Sequence, residues 1–160
     1  MQKLIAVEEA KALMNQAKDW SVWRWLLEKR RVRAASDKAV AALDDLDKSV
    51  KAAWADDLKK AYRELEAQAA FAGNSRAKRQ YEKAKEEAKT IDPQTKLAVQ
   101  QVKKADDDAY QARMDAEEKF DEAERQLNSS LAREGAKMAV DSWDLRLKAI
   151  RKAETLGRRT

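Results

Sequence analysis

Near the middle of the chain, Ala72-Gly73-Asn74-Ser75-Arg76 writes a helix stop and a helix start side by side. Gly and Asn tolerate the left-handed backbone that closes a helix, and Ser caps the next one. On either side of this stretch breakers almost vanish. Only three Gly and one Pro occur in 160 residues, and Ala, Glu, Lys, Leu and Arg dominate. That is the make-up of long helices rather than of sheets. The expected fold is all-α: a long antiparallel two-helix hairpin, coiled-coil-like, reversing at residues 73–75 and forming a single helical domain over residues 1–160.

Residues 1–72 form the first arm in this reading. Its apolar positions run Val50, Trp54, Leu58, Ala61, Leu65, Ala69, Ala72, and backwards through Leu46, Leu43, Ala39, Ser36 and Val32. Steps of three and four trace one face of one helix, roughly 110 Å long if unbroken. The alternative is a helix that restarts at Arg33-Ala34-Ala35-Ser36-Asp37, with the N-terminal helix folded back near Ser36 into a three-helix bundle.

The second arm covers residues 76–91 and 93–156, with residues 157–160 as a frayed tail. Asp92-Pro93 is a restart signal, an N-cap followed by proline at the first helical position, so a kink is expected there. The apolar stripe continues as Ala98, Val102, Ala105, Ala109, Ala112, Ala116, Phe120, Ala123 and Leu127, then Leu131, Met138, Leu145 and Ala149. Reversal about Asn74 sets Ala105 opposite Leu43, Ala116 opposite Val32, Ala123 opposite Trp25 and Leu127 beside Trp20, large against small as close packing requires. The basic residues of 24–33 then face the acidic residues of 115–124. Asp44, Asp45 and Asp47 come near Lys103 and Lys104, Lys59 and Lys60 come near Glu86 and Glu87, and Trp54 falls opposite the Pro93 break. Opposed charge blocks select register even though each exposed pair contributes little.

Catalysis is not expected. The chain has neither His nor Cys, so the usual general bases, nucleophiles and soft metal ligands are missing. Asp44-Asp45-Leu46-Asp47 and Asp106-Asp107-Asp108 point in several directions around a helix and lack a calcium loop. No phosphate-binding glycine loop occurs, and a two-helix rod has no deep pocket, so no cofactor and no small-molecule substrate are expected. The net charge of +5 is spread over both signs, and Lys29-Arg30-Arg31-Val32-Arg33 is matched by the opposite arm; nucleic acid is disfavoured. No window approaches the ~20 apolar residues of a membrane span, and the first residues lack a signal-peptide core. A cytoplasmic location is the default expectation.

The sharpest anomaly is Trp20-Ser21-Val22-Trp23-Arg24-Trp25-Leu26-Leu27, a turn apolar all round that one partner helix covers only in part. Trp143, Leu147 and Ile150 repeat the excess in the second arm. Trp20, Trp23, Trp25, Leu26, Trp143, Leu147 and Ile150 are therefore the candidate partner-binding residues. In the basic tail, Arg146, Lys148, Arg151, Lys152, Arg158 and Arg159 are candidates for contact with an anionic surface. The expected function is a non-enzymatic helical scaffold or spacer making protein–protein contacts through its Trp-rich open end, self-association into a dimer foremost. The alternative is peripheral membrane binding through Trp20, Trp23 and Trp25 together with the basic tail.

Overall fold

A computed structural model describes residues 2–159, and among these every regular element is helical. The elements are α1 (Gln2–Ala17), α2 (Val22–Ala52), α3 (Asp56–Gly73), a 3-10 turn at Ser75–Ala77, α4 (Lys78–Glu87), α5 (Pro93–Gln126) and α6 (Ser129–Arg158). Met1 and Thr160 lie outside the described residues, so the expected frayed tail is described only as far as residue 159. Helix α6 continues through Arg158, where fraying was expected from residue 157. No helix among the described residues is long and apolar enough to cross a membrane.

The chain reverses at Asn74, whose side chain accepts the N–H of Arg76 at 3.0 Å. Across that tip the rings of Phe71 and Tyr81 stand 5.5 Å apart. The restart expected at Asp92-Pro93 is also present: α4 ends at Glu87, and α5 opens with Pro93 after Asp92, whose side chain makes no capping hydrogen bond. Proline tolerates the first helical position because its missing N–H has no helical partner there.

Three further breaks depart from the two-arm expectation. Helix α2 runs unbroken through Ser36; the N-terminal restart lies instead at Ser21, whose Oγ accepts the N–H of Arg24 at 3.2 Å. Ala34 and Ala35 make continuation through Ser36 cheap, whereas Ser21 sits just ahead of the first turn of α2. A second break, at residues 53–55, separates α2 from α3, whose first turn carries Asp56 and Asp57; carboxylates there favour the helix N-terminus. The third ends α5 at Gln126, where 93–156 was expected to be one helix. Leu127 turns left-handed at φ 49°, and Asn128 Oδ1 accepts the N–H groups of Ser130 at 2.9 Å and Leu131 at 3.4 Å.

Folding back at both ends turns a rod into a bundle. Helices α5 and α6 pack most closely, α1 lies on α2 and touches α6, α2 packs on α6, and α3 packs on α4 and α5. The α5–α6 approach is made of small residues: Ala116 and Ala123 from α5, with Ala132, Gly135, Ala136 and Ala139 from α6, are buried. A Cβ on Gly135 would stand 2.7 Å from Phe120 Cδ1. Helices α2 and α5 stand further apart and meet through long side chains.

Two apolar cores result. The larger gathers Val7, Met14, Trp20, Trp25, Val32, Leu43, Trp143 and Ile150 from α1, α2 and α6 and the segment before α2, lined with alanines that include Ala116 and Ala123 of α5. The smaller gathers Trp54, Leu58, Ile91, Val99, Val102 and Ala153 around the breaks at 53–55 and 88–92. Trp54 fills that gap and donates its indole N–H to the Ala153 carbonyl at 2.8 Å. Val50 packs against both cores.

Candidate functional site

The seven residues singled out as an interface separate into two groups. Trp20, Trp25, Trp143 and Ile150 are buried in the larger core, and Leu26 and Leu147 are half-buried against it. The all-round apolar turn is covered from more than one side, by α1 and by the returning α6, rather than left open. Trp25 stacks on Phe120 with ring centroids 4.9 Å apart. Only Trp23 of the seven is exposed, at 66 %, and Leu27 beside it reaches 85 %. These two lie one turn apart on the outward face of α2, with exposed Arg24, Arg30 and Arg31 around them.

The basic tail also differs from an unpaired overhang. Arg146 reaches back to α2, 2.9 Å from Asp44 and 3.4 Å from Asp47, and Arg158 pairs with Glu154. Lys148, Arg151, Lys152 and Arg159 are exposed. Trp54 against Ala153 sets the end of α6 beside the C-terminal end of α2, whereas Trp23 stands at its N-terminal end. The 31 residues of α2 separate the two by roughly 45 Å.

Of the charge blocks expected to oppose each other, one joins α2 to α5, the basic residues of 24–33 against the acidic residues of 115–124. Lys29 lies 2.6 Å from Glu124, and Arg33 lies 3.6 Å from Asp121 and 3.5 Å from Glu124. The hydrogen bond from Lys29, with the Lys29 and Arg33 charges, holds the Glu124 carboxyl below its ordinary pKa against a smaller opposing effect of burial. The other expected pairings are absent among the described residues: Asp47 faces Lys51 and Arg146, Lys103 pairs with Asp107, and Glu86 pairs with Lys89. The return of α6 along the bundle brought Arg146 to the position expected for Lys103 and Lys104.

Where the two cores meet, a polar cluster draws on α2, α3 and α5, with Arg146 of α6 reaching its Asp47. The Lys51 ammonium donates to Asp106 Oδ2 at 2.6 Å, Asp47 Oδ2 at 3.1 Å and the Tyr62 hydroxyl at 3.2 Å. Tyr62 in turn donates to Asp106 Oδ2 at 2.6 Å, and the ammonium lies 4.3 Å from the centre of its ring. Burial, then the hydrogen bond to Asp106, push the Tyr62 phenol far above its ordinary pKa. Asp47 Oδ1 and Asp106 Oδ1 are buried without a hydrogen-bond partner among the described residues. No cluster suited to a metal ion occurs among the described residues. In chemical terms the cluster is a closed ion network that locks helices rather than presenting a reactive group. Of it, only the i, i+4 spacing of Asp47 and Lys51 was visible in the sequence.

The gap between α2 and α5 forms a cleft of ≈ 340 Å³ floored by α6. Its walls include Trp25, Phe120 and Trp143, and its rim carries Arg33, Asp37, Arg113, Glu117 and Asp121. A two-helix rod has no such feature; it exists because α6 returns beneath both helices. Comparison with protein-family models, with curated proteins and with solved structures gives no match.

Proposed function

We propose that the chain is a non-catalytic, antiparallel helical scaffold that associates with a second copy of itself through the outward face of α2. The observation that carries this reading is the exposed pair Trp23 and Leu27, one turn apart on a helix whose opposite face is built into the core. Large apolar neighbours left in water mark contact surfaces. Charge favours a copy as the partner. Arg24, Arg30 and Arg31 surround the pair, while α5 carries Glu117, Glu118 and Asp121 around half-buried Met114. The basic, aromatic strip of one copy fits the acidic strip of another, and a two-fold axis makes that contact twice.

Sedimentation velocity over a wide concentration range tests this. The expected result is a mass rising to that of a dimer, with reversal in the doubly substituted Trp23→Ser, Leu27→Ser protein and weakening at high salt. A monomer at every concentration, or a dimer indifferent to both substitutions, overturns it. Anionic vesicles distinguish the membrane reading. Binding that depends on Trp23 while the protein stays monomeric favours a lipid surface, although Trp23 and the basic residues of α6 lie at opposite ends of α2.

A further inference from the structure

Helices α5 and α6 enclose a groove of ≈ 410 Å³ between the start of the one and the end of the other. Its floor is apolar, made by Ala98 and Val102 of α5 with Leu156 of α6, and its α6 wall carries Arg151, Lys152 and Arg159. No carboxylate lines it. The three cations are exposed and make no ion pair among the described residues, and the same holds for Lys148 one turn earlier on α6.

Several cations elsewhere have an acid one turn away on their own helix. Lys51 has Asp47, Lys103 has Asp107 and Arg113 has Glu117, and Arg158, next to Arg159, has Glu154. Lys148, Arg151 and Lys152 have none; they stand three and four residues from one another, the spacings at which like charges repel. The helix dipole accounts for Arg159 at the C-terminal end of α6, but it fades within the last turn and does not reach the other three. Repulsion kept along one edge of a helix is a local conflict that a bound anion relieves.

The spacing selects the kind of anion. Lys148 and Arg159 lie roughly 16 Å apart along the helix, further than one small anion spans, and the cations between them follow the helical period. A second helix laid along the groove presents carboxylates at that same period, while its apolar edge meets Ala98 and Leu156. Leu97 is 57 % exposed and, four residues before Gln101 of the groove lining, shares its face of α5, so more apolar surface is on offer at that edge. A flat lipid surface does not enter a groove between helices, and a nucleic-acid duplex leaves the apolar floor unused.

We infer that the α5–α6 groove docks an acidic amphipathic helix of a partner protein, its carboxylates toward Lys148, Arg151, Lys152 and Arg159 and its apolar side chains on Ala98, Leu156 and Leu97. Trp23 and Leu27 are outside the lining, so this docking does not depend on self-association.

Fluorescence anisotropy of labelled peptides titrated with the full chain tests the assignment. One peptide of about twenty residues carries glutamates three and four apart along one edge with leucines beside them; a second has the same composition with its glutamates spread round the helix. The first is expected to bind saturably and to weaken by roughly tenfold in the double variant Arg151→Gln, Lys152→Gln. It is expected to keep its affinity for Lys83→Gln, Lys85→Gln, which removes the same charge from exposed positions on α4, and for Trp23→Ser, Leu27→Ser. The proposal is overturned if the first peptide does not bind, if the second binds as tightly, if the two glutamine variants lose affinity alike, or if binding disappears with Trp23 and Leu27. It is equally overturned if a DNA duplex or phosphatidylserine vesicles bind through Arg151 and Lys152 more tightly than the peptide.

Discussion

Lys51 of α2 places its ammonium 2.6 Å from Oδ2 of Asp106 on α5, tying the C-terminal end of α2 to α5 as Lys29 and Arg33 tie its N-terminal half. Asp47 shares the same cation. Removing the cation alone leaves two largely buried carboxylates facing each other, so Lys51→Met is expected to destabilise the protein by about 3 kcal/mol. Replacing the three residues together, as Lys51→Met with Asp47→Leu and Asp106→Leu, is expected to recover most of that loss, because an apolar layer of similar volume has no charge to desolvate. Urea midpoints of the two variants check both directions. A single substitution that costs nothing would mean the network contributes nothing.

The same cluster sets an alkaline limit. The folded state keeps the Tyr62 phenol neutral beyond its ordinary value of 10.0. Stability is therefore complete below that pH and falls as pH climbs past it, where only the unfolded chain releases the proton. The expected outcome is a phenolate absorbance from Tyr62 that appears together with unfolding rather than before it. Tyr62→Phe should flatten the alkaline part of the stability curve.

Gly135 and Gly73 make opposite predictions from one substitution. A methyl group on Gly135 meets the Phe120 ring at 2.7 and 2.9 Å, and that ring is stacked on Trp25 and cannot yield freely. Gly135→Ala is expected to cost about 1–3 kcal/mol, against the gain that alanine normally brings to a helix. At Gly73 nothing lies within 4 Å of the added carbon, so Gly73→Ala is expected to stabilise by about 0.4–1 kcal/mol. Thermal melts of the two variants should move in opposite directions.

The α5–α6 turn stores strain at a residue poorly suited to it. Leu127 adopts φ 49°, a region that costs an L-residue with a Cβ about 1–2 kcal/mol. Leu127→Gly is expected to stabilise by about 0.5–1 kcal/mol after the extra freedom of the unfolded chain is offset. Asn128→Ala removes the acceptor for two N–H groups and is expected to cost about 1 kcal/mol. Chemical denaturation distinguishes the signs.

The all-helical class and the interruptions at Asn74 and Asp92-Pro93 could be read from the sequence because Gly, Asn and Pro act locally. The break after Leu127 hid because a leucine occupies the left-handed position where glycine would have signalled a stop; the cap Asn128 followed by Ser129 was the remaining sign. Ser21 and Ser36 are chemically the same cap, and the alanines before Ser36 decided between them. Burial of Trp20, Trp25 and Trp143 was misread for a different reason. An all-round apolar turn indicates how much cover is needed, not whether the cover comes from another molecule or from the chain's own ends. The cleft had no sequence signature, and the Lys51 cluster none beyond the Asp47–Lys51 spacing, since their members are assembled from separate helices.

Helix α4 buries none of its own residues, and at the tip beyond the smaller core Phe71 stands against Tyr81. Amide exchange should therefore begin at that soft finger and spread toward Trp54, while the end bearing Trp23 stays closed. A chain built this way can flex at its far tip without disturbing the shape it presents at the other.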